Sequence, residues 1–260
     1  MKISVQGLYF NYSSRPVLKG LEFGIREGEL VGIIGSNGSG KSTLLKCLNR
    51  ILSPQRGMIM VSDEDASRMS IRQISRLIGY VPQSIPDSFA ATVFDTVLMG
   101  RKPHVSFSPS REDLDLVLCL LKEFGIEDLA MDSVDMLSGG QRQKVFIARA
   151  LAQQPQIILL DEPTANLDLK HQIEAMEIIR DVTYKGVSVV IAIHDINLAA
   201  RYCDSFIMLK EGTIYDAGSK DILTQRSIRE VYDIDTEIIS YRSHMMVVPT
   251  IRDTSGNRGD

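Results

Sequence analysis

The residues "GSNGSGKST", namely Gly35, Ser36, Asn37, Gly38, Ser39, Gly40, Lys41, Ser42 and Thr43, fit the pattern G-x-x-x-x-G-K-[ST]. The backbone N–H groups of such a loop and the start of the helix after it point unpaired donors at one place, so they wrap an anionic phosphate. Lys41 is placed to reach the β- and γ-phosphates, and the Ser42 hydroxyl to ligate Mg2+. In "IILLDEP" an apolar run ends on Asp161, and α/β sheets place ligands at the carboxyl ends of buried strands. Asp161 therefore reads as a metal residue. Glu162 is placed to hold and polarise an attacking water, which phosphoryl transfer to water needs more than a covalent nucleophile.

A second helix start of the same kind lies about a hundred residues beyond the first, in "LSGGQ". Ser138 and Gln141 have the spacing of a capping box, and Gly139 and Gly140 leave the first turn bare for close approach by a ligand. Capping boxes are common and need bind nothing, so the motif alone leaves that choice open. His194 follows the apolar strand "VSVVIAI" and can donate to a phosphate oxygen; Gln83 ends "LIGYVPQ"; Tyr12, in a hairpin turn, can stack on a base. Each of these three has an ordinary structural reading as well. His104, His171 and His244 are scattered and suggest no metal site.

The elements that must position these groups can be read from periodicity. Segments 2–10 and 17–25 read as a hairpin joined by "NYSSRP", and "LVGIIG" as a buried strand feeding the glycine-rich loop. The helix "KSTLLKCLNRIL" is expected to stop before Pro54. A short strand near "GMIMV" and a helix over 70–77 precede the strand that ends on Gln83. From about 92 to 153 the spacing is helical, with Leu114, Val117, Leu118 and Leu121 at i, i+3, i+4 and i+7. Val145, Ala148 and Ala152 share one face of the helix after "LSGGQ". Strands return at "QIILLDEP" and "VSVVIAIHD" around the helix "KHQIEAMEIIRDVTYKG", short strands follow in "SFIMLKEGTIYDAG", and "RDTSGNRGD" reads as a disordered tail. This is a parallel-sheet core interrupted by helices.

Composition sets bounds on function. Of 260 residues, 44% are apolar and 24% charged, and the net charge of −4 gives no reason to expect a nucleic acid partner. Cys47, Cys119 and Cys203 form no C-x-x-C pair and read as reduced thiols. Cys47 lies on the helix after the phosphate loop, where core packing is its simplest role. No apolar run approaches the roughly 20 residues that span a bilayer, so the chain is expected to be soluble while docking on a membrane partner.

Taken in order, "GSNGSGKST", Gln83, "LSGGQ", "IILLDEPTANLD" and His194 resemble the motif set of the ATP-binding cassette ATPases, over nearly the whole chain. The resemblance implies an α/β P-loop NTPase (RecA-like) fold. Its core is a parallel sheet formed by 1–83 and 154–260, with an N-terminal antiparallel β subdomain and an all-helical subdomain inserted at 84–153. It implies ATP and Mg2+ as bound species, Glu162 as base, His194 as γ-phosphate sensor, Ser42, Gln83 and Asp161 at the metal, and Tyr12 on adenine. It places Asp168 at a subunit boundary and gives Ser138, Gly139, Gly140 and Gln141 to ATP held by a second copy of the chain.

Within that family, "TVFDTVLMGRKPH", "HDINLAARYCD" and "DILTQRSIREVYDID" look like ATPase subunits of importers for iron–siderophore complexes, haem or cobalamin. That likeness implies a peripheral subunit on the cytoplasmic face of the membrane, working with two permease subunits and an external substrate-binding protein. A soluble cassette ATPase of cofactor assembly or DNA repair is the alternative. The repair type carries long coiled coils between its nucleotide motifs, whereas Lys41 and Asp161 are only about 120 residues apart with no sustained heptads. About 65 residues follow His194, too few for the long regulatory domain of some sugar-importer ATPases.

Overall fold

The computed structural model describes residues 1–83, 91–242 and 244–250. In chain order the elements are β1 (Ile3–Tyr12), β2 (Arg15–Ile25), β3 (Leu30–Gly35), α1 (Lys41–Leu48), β4 (Arg56–Val61), β5 (Glu64–Asp65), α2 (Ile71–Leu77), β6 (Ile78–Val81), α3 (Val93–Leu98), α4 (Arg111–Glu123) and α5 (Gly139–Ala152). They continue with β7 (Ile157–Asp161), α6 (Leu169–Tyr184), β8 (Ser188–Ala192), α7 (Ile196–Tyr202), β9 (Ser205–Lys210), β10 (Thr213–Gly218), α8 (Gln225–Tyr232), β11 (Thr236–Tyr241) and β12 (His244–Pro249).

The central sheet has the order β10-β9-β3-β8-β7-β6, parallel throughout except for β10. Every residue of β3, β7 and β8 is buried, as expected of parallel strands covered on both faces. Side chains alternate between two cores. Leu30, Ile34, Ile158, Leu160, Val189 and Ile191 face the helices α3 to α7, while Val31, Ile33, Ile157, Leu159, Val190 and Ala192 face α1 and a second sheet. That second sheet, β2-β1-β4-β5, is antiparallel. The mixed α/β architecture read from the motifs is thus the observed one, and it brings the ends of β3, β7 and β8 to one edge.

Several local expectations are corrected. The β1–β2 hairpin is tighter than read: Tyr12 ends β1 and pairs with Arg15, so it stands on a strand rather than in a turn. Helix α1 ends at Leu48, well before Pro54. Arg50 takes a left-handed φ of 54°, and the N–H groups of Arg50 and Ile51 return to Cys47 O at 3.0 Å and Lys46 O at 2.9 Å, a paired closure usually built on glycine.

On α4, Val117, Leu120 and Leu121 are buried but Leu114 and Leu118 are exposed, so the packed face is rotated from the row picked by spacing. The residues after His194 form more than short strands: α8 and the β11–β12 hairpin follow, with Asn197 exchanging two hydrogen bonds with the Val247 backbone at 2.7 and 3.1 Å. The expected tail 252–260 and the start of the 84–153 segment lie outside the described residues.

The stretch after α3 ties α4, the end of α5 and α2 together. Arg101, almost fully buried, donates to Asp113 Oδ1 at 2.6 Å, to Ala152 O at 2.8 Å and to Gln154 Oε1 at 2.9 Å. From α2, Arg72 and Arg76 both donate to Pro103 O, at 2.8 and 3.0 Å.

Candidate functional site

The phosphate loop leaves β3 and enters α1 through Gly40, whose φ of 108° suits glycine; a Cβ there would meet Leu18 Cδ2 at 2.9 Å. No side chain caps α1, so its first N–H groups stay available to an anion. Ser39 is 2% exposed and its Oγ has no hydrogen-bond partner, which is costly unless a ligand supplies one. Lys41 is also buried, with Nζ donating to Gly35 O at 2.9 Å and Ser36 O at 3.2 Å. Burial pulls its pKa below the usual ammonium range, opposed by the nearby Glu162 and Asp161. An uncapped helix start, an orphaned hydroxyl and a desolvated cation fit a phosphate.

Asp161 is the last residue of β7 and 2% exposed. Its Oδ1 accepts from Ser42 Oγ at 2.8 Å and its Oδ2 from Tyr80 Oη at 3.3 Å. Tyr80, on β6, was not foreseen; it stands three residues before Gln83 in an apolar strand, where nothing in the local pattern marks it. Its hydroxyl pKa is raised, chiefly by burial and then by the Asp161 charge, which keeps it a donor. Among the described residues no group of three or more His, Cys, Asp or Glu could hold a metal by itself. Ser42 and Asp161 would instead supply a few oxygens to a Mg2+ that completes its shell with phosphates and water, the habit of that ion.

Glu162 follows at once and takes a left-handed φ of 52°, a strained position for a non-glycine residue. Its N–H is held by Ala192 O of β8 at 3.0 Å. One carboxylate oxygen accepts from Gln83 Nε2 at 2.5 Å and the other pairs with His194 Nε2. The sequence-predicted base, sensor and metal-side glutamine, drawn from three strand ends, are thus in direct contact.

These groups line a cleft of about 660 Å3 with Tyr12, Arg15, Val17, Asn37, Gly38, Gly40 and Thr43. That volume lies within the range of small-ligand sites. The Tyr12 ring is 46% exposed and braced edge-on by Phe10, centroids 4.8 Å apart, which leaves it free to stack on a planar ligand. Arg15 and Val17 were missed by sequence reading because only the pairing of β2 with β1 carries them to the cleft.

The second helix start stands apart. Ser138 caps α5 with a reciprocal capping box: Gln141 N–H reaches Ser138 Oγ at 3.3 Å and Ser138 N–H reaches Gln141 Oε1 at 3.0 Å. None of Ser138, Gly139, Gly140 or Gln141 is among the residues that line the cleft. Ser138 and Gly139 are exposed, but Gly140 is buried, against the expectation that both glycines lie bare. Asp168 is the N-cap of α6 and carries His171 on its carboxylate: N–H and Nδ1 both lie on Oδ1, at 2.9 and 2.7 Å.

Comparison with known proteins agrees with this geometry. Residues 18–165 match the family described as ABC transporter. An uncharacterised ABC transporter ATP-binding protein of Methanocaldococcus jannaschii is 46% identical over 250 residues, covering 96% of this chain and 98% of that protein. The iron(3+)-hydroxamate import ATP-binding protein of Bacillus subtilis is 35% identical over 92% of this chain and 90% of its own length. A cobalamin import ATP-binding protein of Halobacterium salinarum is 41% identical over 90% of this chain, which spans only 59% of that longer protein.

Among solved structures, an inward-facing ABC transporter provisionally described as metal-chelate type superposes with a TM-score of 0.84 at 30% identity, covering 96% of this chain and 98% of that one. A dimeric bacterial ABC transporter cassette superposes at 0.75 with 31% identity, covering 84% and 98%. The chain belongs to the ATP-binding cassette (ABC) transporter family of ATPases.

Proposed function

We propose that two copies of this chain close around two Mg·ATP and thereby power a membrane importer of a metal chelate or a corrinoid. The observation that carries the two-chain part is the separation of the cradles. The cleft that holds Lys41, Ser42 and Glu162 is open and contains none of Ser138–Gln141, while the exposed, rigidly capped start of α5 offers donors with no ligand of its own. A second chain, turned about a two-fold axis, would bring its α5 over the exposed γ-phosphate, adding donors and excluding water. The relation to a dimeric cassette supports this arrangement.

In such a site Tyr12 stacks on the base, Lys41 and the loop N–H groups hold the phosphates, and Ser42 and Asp161 hold the metal, with Gln83 reaching it and the attacking water. The bound Mg2+ supplies charge neutralisation on the phosphate oxygens. Glu162 orients the water and takes its proton, for which it must exchange its contacts with Gln83 and His194; His194 is then free to donate to the γ-phosphate.

Coupling to a permease is supported by a surface on the helical part. Leu98, Met99, Val105, Phe107 and Pro109 line an open apolar groove beside α3, and the Phe107 side chain is fully exposed. No helix among the described residues is long and apolar enough to cross a membrane. We assign this groove to a short helix of each of two permease subunits, with the chain on the cytoplasmic face and an external binding protein delivering the cargo. The hydroxamate and cobalamin importers among its relatives support that class of cargo.

Cells lacking the chain should lose energised uptake of a ferric siderophore, haem or cobalamin. They should regain it with the wild-type chain but not with Glu162→Gln. Unaltered uptake of all three would contradict the importer assignment.

A further inference from the structure

A Cβ on Gly140 would stand 2.2 Å from His171 Cδ2 and 3.0 Å from its Nε2. The imidazole therefore fills the space that any other residue at position 140 would occupy. The ring is not free to swing away, since Nδ1 lies 2.7 Å from Asp168 Oδ1 and the His171 N–H holds the same oxygen. A carboxylate only accepts, so Nδ1 carries the proton and the Cδ2–Nε2 edge is turned to Gly140. His171 is the third residue of α6, where a capping box would normally place Glu or Gln reaching back to the backbone; here the ring joins the cap side chain to a different helix.

Two neighbouring contacts run along the same seam. A Cβ on Gly139 would lie 3.3 Å from Leu167 Cδ2, and Lys144 of α5 pairs with Glu174 of α6 at 3.3 Å. The seam joins the start of α5 to the loop that ends on Asp168.

We infer that His171 is a positioning residue which locks the start of α5 and the Asp168 loop of one chain into a single unit. This rests on the two-chain reading, in which both ends of that unit face the partner's nucleotide. Gly140 is then glycine because of His171 in its own chain, and Gly139 is the position left open for the partner's phosphate. The unit reaches the partner's ATP as one rigid surface, so the α5 start and Asp168 arrive together.

The test uses full-length His171→Ala, His171→Asn, Gly140→Ala and the double variant Gly140→Ala with His171→Ala. In the nucleotide-free monomer, His171→Ala should speed amide exchange over residues 138–142 and leave the phosphate loop unchanged. It should lower kcat by about ten- to a hundred-fold, the usual cost of a small misplacement, with the monomer's affinity for a fluorescent ATP analogue preserved. His171→Asn, which retains a donor for Asp168, should recover part of kcat. The double variant should be more active than Gly140→Ala alone, because the collision is removed.

Unaltered exchange over 138–142 in His171→Ala, or a double variant no better than Gly140→Ala, would overturn the assignment. The exchange measurement is made on one chain. Faster exchange combined with failure of Glu162→Gln to dimerise with ATP would therefore sink the two-chain reading and leave the lock standing.

Discussion

His194 Nε2 sits against one carboxylate oxygen of Glu162, so the residue assigned to sense the γ-phosphate and the residue assigned to activate water occupy each other's polar groups. Gln83 holds the other oxygen. Glu162, Gln83 and His194 therefore satisfy one another, and Glu162 has to give up these contacts before it can take a proton. Glu162 takes a left-handed φ of 52° immediately after the end of β7, a costly backbone conformation for a non-glycine residue.

Ser138→Arg should abolish hydrolysis, a loss of at least about a hundred-fold as for removal of one preorganised donor. It should leave binding of a fluorescent ATP analogue to the monomer nearly intact, because Ser138 lies outside its own chain's cleft. Loss of monomer binding in that titration would place α5 in its own active site.

Lys41→Ala and Ser138→Arg chains should each be inactive alone and regain hydrolysis when mixed. In a two-fold dimer one site then carries both lesions and the other neither. A mixture as inactive as its components would speak against shared sites.

Arg101→Ala should cost about 3 kcal/mol of stability, or about 8 °C in Tm, because it strands Asp113 and the buried carbonyl of Ala152. The Ser110 N–H, then the Arg101 guanidinium, hold Asp113 down to about 2. A depressed carboxylate pKa contributes stability that is full above its ordinary value of about 3.9 and is lost as pH falls through the folded value. The gap in denaturation midpoint between wild type and Asp113→Asn should thus be present at neutral pH and close toward pH 2. A gap that stays constant with pH would show that the charge is not the source.

Of the 3 thiols, only Cys119 should react quickly with a disulfide reagent in the native chain. Cys47 and Cys203 are buried and their thiols are pushed up to about 12, so they lack thiolate at neutral pH. Inactivation that tracks modification of Cys47 would contradict its reading as core packing on α1.

What the sequence disclosed about the site follows from how each group is encoded. The phosphate loop, Asp161 and Glu162 lie within contiguous stretches whose spacing is itself the chemistry, so they were legible. Tyr80 reaches Asp161, and Arg15 and Val17 reach the cleft, only through strand pairing, and none of the three carries a local pattern. His171 looked like one of several scattered histidines, since its contact with Gly140 joins two helices about 30 residues apart in the chain.

The fold was read by the same logic. The unbroken apolar runs of β3, β7 and β8 announced a covered sheet, but the β11–β12 hairpin is short and held by Asn197 side-chain bonds that no periodicity reveals. Helix α1 was read too long because Arg50 makes a turn that normally advertises itself with glycine.

The central claim is that this chain works as two copies sharing two nucleotides, and Glu162→Gln tests it most directly. The substitution removes the base while leaving both phosphate cradles, so gel filtration with Mg·ATP should show a stable dimer that reverts to monomer when ATP is withdrawn. A Glu162→Gln chain that binds ATP yet elutes only as monomer would contradict the account.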